Sequence, residues 1–189
     1  FYLTLRTKDP YPNQRQSYWK KRKGRHKRAH DKRSYLASLR ETNNHELTLL
    51  LFKLNIPAVD AIYNQESGCV NLRLIGIELR FPEQKNLLLG YNDYIQTQYQ
   101  HDVTFIQDEE NRMFVQFNYL KIWLQSSNSF YAFKKVFIKQ CYNLDLSKST
   151  VVFDVGMNVG CTSLFFAQKE MVKVVYGFEL SPFTASIAQ

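Results

Sequence analysis

Residues 151–179 read Val-Val-Phe-Asp-Val-Gly-Met-Asn-Val-Gly-Cys-Thr-Ser-Leu-Phe-Phe-Ala-Gln-Lys-Glu-Met-Val-Lys-Val-Val-Tyr-Gly-Phe-Glu, and this stretch decides the fold. Residues 151–153 form a short apolar run, which is typical of a parallel strand covered on both faces. Two glycines follow in a tight turn, and residues 164–167 begin a helix. Residues 172–178 have the pattern of a second buried strand. The stretch therefore predicts a strand–turn–helix–strand unit, which opens a doubly wound α/β sheet.

The turn and the end of the second strand carry the residues that predict a ligand. Gly156 can adopt backbone angles that other residues avoid, so the chain can turn sharply at the carboxyl end of the first strand. Gly160 has no side chain, which lets a ligand or the next helix approach the backbone closely. Glu179 ends the second strand 19 residues beyond Gly160, where a carboxylate can accept hydrogen bonds from both hydroxyls of a ribose. The pattern indicates an adenosine-containing ligand.

Asp154 and Asn158 distinguish between two such ligands. A dinucleotide site requires G-x-G-x-x-G, with backbone room for a pyrophosphate, whereas this turn reads G-x-N-x-G. A carboxylate at Asp154 suits a cationic amino-acid ligand and would repel a pyrophosphate. S-adenosylmethionine carries an ammonium and a sulfonium and no phosphate, so the pattern favours it over NAD. The alternative is that Asp154 only caps the turn and Glu179 is a solvated strand end.

The same residues resemble a known family. The segments Asp154-Val-Gly-Met-Asn-Val-Gly160, Ser163-Leu-Phe-Phe-Ala167 and Tyr176-Gly-Phe-Glu179 are similar to the FkbM family of methyltransferases, and Lys135-Val-Phe-Ile-Lys-Gln-Cys-Tyr142 resembles that family's lead-in helix and loop. The resemblance covers roughly residues 113–189. It implies a class I, Rossmann-like methyltransferase fold with a seven-stranded sheet, S-adenosylmethionine as cofactor, and O-methylation of a sugar or another small molecule. By position, the family's cofactor turn corresponds to Asp154, Gly156, Asn158 and Gly160, and its ribose-binding acid to Glu179.

Two positions depart from the family pattern. Lys135 stands where the family has a glutamate, and Leu180-Ser181-Pro182 replaces the Pro-x-Pro that follows the ribose-binding acid. Tyr142 matches a recurring family tyrosine, for which a place in the pocket and a packing role are both open. The sequence identifies neither a catalytic base nor a metal site. Because the chain would hold only the first two strands of the sheet, we expect the 189-residue chain itself to be inactive.

The charge is concentrated at one end of the chain. Residues 1–40 hold 13 Lys and Arg against two Asp, a net charge of +11, whereas the remainder holds 12 against 15 acids, a net charge of −3. Three interpretations of the basic arm, residues 1–34, stay open: a solvated tail, a contact with an anionic membrane surface, and nucleic-acid binding through phosphates.

The middle of the chain predicts a small α+β region, residues 35–128. Residues 34–54 have helical spacing with an interruption at Asn43-Asn44, which predicts two short helices with inward leucines at 36, 39, 47, 50 and 51. Within residues 69–124, apolar and polar side chains alternate in four runs, which predicts a small β-rich unit of antiparallel strands. The apolar positions are Val70, Leu72 and Leu74; Val103 and Phe105; Val115 and Phe117; and Leu120, Ile122 and Leu124. The polar residues 108–111 predict a hairpin turn, and the alternation changes phase near Asn118, which predicts a bulge or a break.

The third predicted region, residues 129–189, holds a lead-in helix and the start of the cofactor domain. A capping cluster at residues 126–129 precedes an aromatic stripe, which we assign to the core together with Cys141 at the same helical spacing.

The three cysteines lack the spacing of a zinc site or a disulfide framework, so we expect mostly buried thiols in a cytoplasmic protein. No apolar run reaches the length of a membrane-spanning helix. Small-molecule O-methylation ranks first, nucleic-acid methylation second, and a non-catalytic module that retains the fold third.

Overall fold

A computed structural model describes residues 44–57 and 59–187. The basic arm and the first of the two predicted helices, with Leu36 and Leu39, lie outside the described residues. The described part is a mixed α/β structure that contains two antiparallel sheets and one pair of parallel strands. Among its helices, none combines the length and the apolarity that crossing a membrane requires.

The first described helix, α1, spans His45–Lys53. Asn44 caps it, because its side-chain oxygen accepts a hydrogen bond from the backbone N–H of Leu47 at 3.0 Å. Leu47 and Leu51, one helical turn apart, are fully buried. The prediction of a helix after Asn43-Asn44 is confirmed, and the helix ends before Pro57, as predicted.

Two three-stranded antiparallel sheets follow. The first has the order β1–β2–β3, with β1 at Ala61–Asn64, β2 at Cys69–Leu72 and β3 at Ile77–Arg80. The second has the order β4–β5–β6, with β4 at Val103–Gln107, β5 at Met113–Phe117 and β6 at Leu120–Leu124. Between them lie the helices α2, Lys85–Leu88, and α3, Tyr91–Gln100. The structure confirms the predicted strands at β2, β4, β5 and β6 and their antiparallel pairing. Leu74, predicted to continue the first run, lies in the turn after β2. The sequence pattern identified none of β1, β3 and α3.

The turns of the second sheet explain the change of phase in its sequence. Asp108 accepts hydrogen bonds from the backbone N–H groups of Glu110 and Arg112 and closes the predicted hairpin between β4 and β5. Asn118 has a φ of 53°, and Phe117 pairs directly with Leu120. The irregularity near Asn118 is therefore a two-residue hairpin turn, which is a break between strands and not a bulge within one.

The lead-in helix has two parts: α4, Ser127–Phe133, and a π-helical turn, Lys134–Ile138. The side chain of Ser126 caps it by accepting a hydrogen bond from the backbone N–H of Ser129. The aromatic stripe is buried as predicted, with Phe130, Phe133, Val136 and Phe137 in the core. Cys141, by contrast, is exposed. Its predicted place in the stripe is wrong, because the helix ends before it and Gln140 turns the chain outward with a φ of 50°.

The decisive stretch folds as a strand, a helix and a parallel strand: β7 at Thr150–Val155, α5 at Cys161–Ala167 and β8 at Val172–Phe178. This confirms the predicted strand–turn–helix–strand unit. A short helix, α6, follows at Pro182–Ile187. The predictions that β7 is covered on both faces and that β8 is buried are both wrong for the described structure, in which Tyr176 and Phe178 of β8 are about half exposed. One face lies against α5, while Val151, Phe153 and Val155 on the other face are exposed.

Candidate functional site

The candidate site lies at the carboxyl ends of β7 and β8, where the glycine turn connects β7 to α5. Gly156 has a φ of 78°, a conformation that side chains other than glycine rarely adopt. Its backbone N–H donates to the carbonyl oxygen of Phe178 at 2.8 Å, and that of Met157 donates to the same oxygen at 3.1 Å. The turn is therefore fastened to the last residue of β8, directly before Glu179.

Glu179 bridges the turn and the segment that follows β8. Its Oε2 accepts a hydrogen bond from the backbone N–H of Asn158 at 3.0 Å, and its Oε1 accepts one from the backbone N–H of Ser181 at 2.9 Å. The N–H groups of Ser181 and Asn158 hold the pKa of the Glu179 carboxyl below its ordinary value. The structure thus brings together two of the predicted site residues, Glu179 and Asn158, and keeps the acid ionised at neutral pH.

Asp154 takes a different partner. Its Oδ2 accepts a hydrogen bond from the hydroxyl of Ser163 in the first turn of α5, at 2.7 Å. The side chain of Asp154 is half-buried between β7 and this helix. Ser163 was part of the family resemblance but was given no role in the sequence analysis. The spacing of nine residues could have predicted this contact. The glycine turn folds α5 back along β7, which brings a hydroxyl at that distance in sequence close to Asp154.

Gly160 begins α5. Its φ is 78°, its N–H donates to the carbonyl oxygen of Met157 at 2.9 Å, and its own carbonyl accepts from the N–H of Leu164 at 2.8 Å. A Cβ added at Gly156 would meet no heavy atom within 4 Å, so the turn is open on that side. The open side of Gly156 gives a ligand access to the backbone of the turn.

Gly177 is a further residue that the sequence analysis did not single out. A Cβ added there would lie 2.2 Å from the sulfur of Met157 and 3.3 Å from the hydroxyl oxygen of Ser163. Met157 therefore packs over the backbone of β8, and a side chain at position 177 would displace it. The pair holds the turn against β8 on the side of the sheet that faces α5.

Lys135 and Tyr142, the two positions before the turn that were compared with the FkbM family, lie on the surface. Lys135, which stands where the family has a glutamate, places its ammonium 4.8 Å from the centre of the Tyr131 ring. Tyr142 is 44% exposed, so a role in core packing does not account for it. Within residues 44–57 and 59–187, there is no group of three or more His, Cys, Asp or Glu that could hold a metal ion.

Glu179 and the exposed apolar side chains that follow it lie at one end of the sheet. A carboxylate has about four acceptor positions, and the backbone N–H groups of Ser181, Asn158 and Leu180 all act on the Glu179 carboxylate. Leu180, the next residue, is fully exposed, and Phe183 is 72% exposed.

Comparison of the chain with protein-family models, with curated proteins and with solved structures finds no match.

Proposed function

We propose that the chain carries the cofactor-binding edge of an S-adenosylmethionine-dependent methyltransferase, and that the protein methylates a hydroxyl group of a sugar or another small molecule. The observation that carries the proposal is the carboxylate of Glu179, which lies beside the glycine turn at the carboxyl end of β8 and accepts hydrogen bonds from the backbone N–H groups of Asn158 and Ser181. The sequence resemblance to the FkbM family supplies the acceptor class, and the expectation of reduced thiols at the three cysteines supports a cytoplasmic location.

The charge of the site supports S-adenosylmethionine over a nucleotide with phosphates. Asp154 and Glu179 place two carboxyl groups at the ends of neighbouring strands, and the N–H of Asn158 already donates to one of them. A turn that binds a phosphate needs free backbone N–H groups that can donate hydrogen bonds to it. In this turn the N–H of Asn158 already donates to the carboxylate of Glu179. A cation is therefore the favoured ligand.

Each site residue then has a task. Glu179 binds the ribose hydroxyls, Asp154 attracts the cationic amino-acid portion, and Gly156 and Gly160 let the ligand approach the backbone. When bound, S-adenosylmethionine supplies an electrophilic methyl group. Transfer to a hydroxyl is an in-line displacement, so the orientation of the two reactants provides much of the rate. No side chain among the described residues is assigned as the base.

Calorimetric titration with S-adenosylhomocysteine tests the proposal, in the longest natural protein that contains this sequence. We expect Glu179→Gln, which preserves the shape of the side chain and removes its charge, to weaken binding by about tenfold or more. Asp154→Asn should also weaken it. The matched control is Glu170→Gln, because Glu170 is an exposed acid at the opposite end of β8 and should leave the affinity unchanged.

Competition with ATP and NAD provides a second test of the ligand's identity. ATP and NAD should not displace S-adenosylhomocysteine, because their phosphates meet the carboxyl groups of Asp154 and Glu179. Absence of binding by a well-folded protein, or equal binding by the Glu179→Gln variant, would refute the cofactor site and favour a non-catalytic module that retains the fold.

Methylation of a nucleic acid is the second candidate, and the charge of +11 on residues 1–40 favours it. Binding of RNA or DNA through the arm would weaken steeply as the salt concentration rises, because phosphate contacts release counterions. Weak binding that does not depend on salt would eliminate this candidate without affecting the test of the cofactor site.

A further inference from the structure

A hydrogen bond between two side chains joins α5 to the carboxyl end of β7. The hydroxyl of Ser163 donates to Oδ2 of Asp154 at 2.7 Å, a distance typical of a hydroxyl that donates to a charged carboxylate. A serine hydroxyl inside a helix often donates to the carbonyl oxygen four residues earlier, but this hydroxyl is directed to the strand instead. The contact therefore fixes the carboxylate of Asp154 relative to the first turn of α5.

The position beside Asp154 on the neighbouring strand is a glycine. Asp154 pairs with Gly177 across the parallel strands. A Cβ at Gly177 would lie 3.3 Å from the hydroxyl oxygen of Ser163 and 2.2 Å from the sulfur of Met157, so any side chain there would crowd both groups. The absence of a side chain at position 177 thus leaves room for the hydroxyl of Ser163 next to the carboxylate that it contacts.

We propose that Ser163 is a positioning residue of the cofactor site, which orients Asp154 toward the ammonium group of the ligand. Within the part of the chain that the structure describes, the hydrogen bond that Asp154 accepts is made by Oδ2, and Oδ1 stays available to a ligand. Holding the side chain in one orientation lowers the entropy that it loses when the ligand binds. The inference rests on the proposed function and concerns the amino-acid end of the ligand.

The contacts of Ser163 are separate from those of the residue proposed to bind the ribose. Glu179 accepts from the backbone N–H groups of Asn158 and Ser181, whereas Ser163 donates to Asp154. Loss of the Ser163 hydroxyl should therefore affect the amino-acid end of the ligand and leave the ribose end intact. A general structural role of Ser163 would weaken both ends together.

Calorimetric titration with two ligands tests the inference, in the longest natural protein that contains this sequence. S-adenosylhomocysteine has the amino-acid portion, whereas methylthioadenosine has the same nucleoside and lacks that portion. We expect Ser163→Ala to weaken the binding of S-adenosylhomocysteine by about tenfold, because a hydrogen bond to a charged group is lost. The affinity for methylthioadenosine should change by less than about twofold. Ser163→Thr, which keeps the hydroxyl, should restore most of the affinity.

A double-mutant cycle identifies the residue through which Ser163 acts. In the Asp154→Ala background, Ser163→Ala should weaken the binding of S-adenosylhomocysteine no further, because the carboxylate that it positions is already absent. Ser163→Cys keeps the shape of the side chain with a weaker donor. It should bind with an intermediate affinity, and it provides the same comparison if Ser163→Ala does not fold.

The matched control is Ser149→Ala. Ser149 is exposed and directly precedes β7, at the end of the strand opposite the turn, so its substitution should leave both affinities unchanged. Equal weakening of both ligands by Ser163→Ala would overturn the inference, as would an unchanged affinity for S-adenosylhomocysteine or a further loss in the Asp154→Ala background. Absence of binding of either ligand by the folded wild type would instead refute the proposed function, and this inference with it.

Discussion

Replacing Phe133 with alanine should remove the centre of the aromatic core that connects the antiparallel sheets to the strand–helix–strand unit. Phe133 is fully buried. Its ring centroid lies 5.7 Å from that of Phe130, 5.6 Å from that of Phe137 and 5.8 Å from that of Phe117. Phe137 in turn contacts Phe165 of α5 at 5.9 Å. The substitution therefore acts on packing between elements that are far apart in sequence.

The expected loss follows from the volume that the ring leaves behind. Truncation of a buried Phe to Ala removes about 100 Å³ of side chain, and a residual cavity costs about 24 cal/mol per Å³, which gives about 2 kcal/mol if the core does not collapse. The lost transfer free energy adds about 2 kcal/mol. We expect the free energy of unfolding to fall by about 3–5 kcal/mol, a large share of the 5–15 kcal/mol typical of a domain.

Urea-induced unfolding followed by far-UV circular dichroism measures this loss. Tyr131→Ala is the matched control, because Tyr131 lies in the same helix, is also aromatic and is 52% exposed. Its substitution should cost less than about 1 kcal/mol. The argument from packing would be refuted by a loss below about 1.5 kcal/mol for Phe133→Ala, or by equal losses for the two variants.

Three further predictions concern the turn, its acid and the thiols. Gly156→Ala should cost about 1–2 kcal/mol of unfolding free energy through backbone strain alone. Gly76 is the matched control, because it has a φ of 66° and equally open surroundings. Gly76→Ala should cost a similar amount without changing the affinity for S-adenosylhomocysteine. Because the folded-state pKa of Glu179 is lowered, its ionised form stabilises the fold above the unfolded-state pKa of about 4.3, and this contribution is lost as the pH falls through the folded-state pKa. The difference in unfolding free energy between the wild type and Glu179→Gln should therefore shrink in acid, and a constant difference from about pH 7 to about pH 3 would contradict the assigned hydrogen bonds. Iodoacetamide labelling followed by peptide mapping compares the reactivity of the thiols. Exposed Cys141 should react well before Cys161, whose thiol is buried and has its pKa raised to about 12 by desolvation. Equal rates would contradict the described burial.

The missed helix α3 shows why local sequence was insufficient in the middle of the chain. Its sequence is Tyr-Asn-Asp-Tyr-Ile-Gln-Thr-Gln-Tyr-Gln, in which most residues are polar. Tyr91, Tyr94 and Ile95 are nevertheless buried on one side of the helix. The ring of Tyr94 packs 5.1 Å from Phe105 and 4.7 Å from Phe130. Those contacts with β4 and α4 make this side of the helix part of the core, and nothing within the ten residues predicts them.

The sequence by itself determined the elements whose causes are local. Alternation of side chains specified β2, β4, β5 and β6, the polar residues at 108–111 specified a hairpin, and helical spacing specified the buried stripe from Phe130 to Phe137. It also determined the strand–turn–helix–strand unit, because an apolar run, two glycines and a second apolar run leave the backbone few other conformations. The identities of Gly156 and Gly160 as turn residues followed from the same local constraint.

Only the tertiary structure decided which distant groups meet. Glu179 accepts from the N–H of Asn158, 21 residues earlier, and Ser163 donates to Asp154, because parallel pairing brings the ends of β7 and β8 together and α5 returns along the sheet. The same packing covers one face of the strands and leaves Phe153 exposed on the other. A two-residue alternation states which side chains share a face, but which face is covered depends on where the helices pack, and that is a property of the assembled fold.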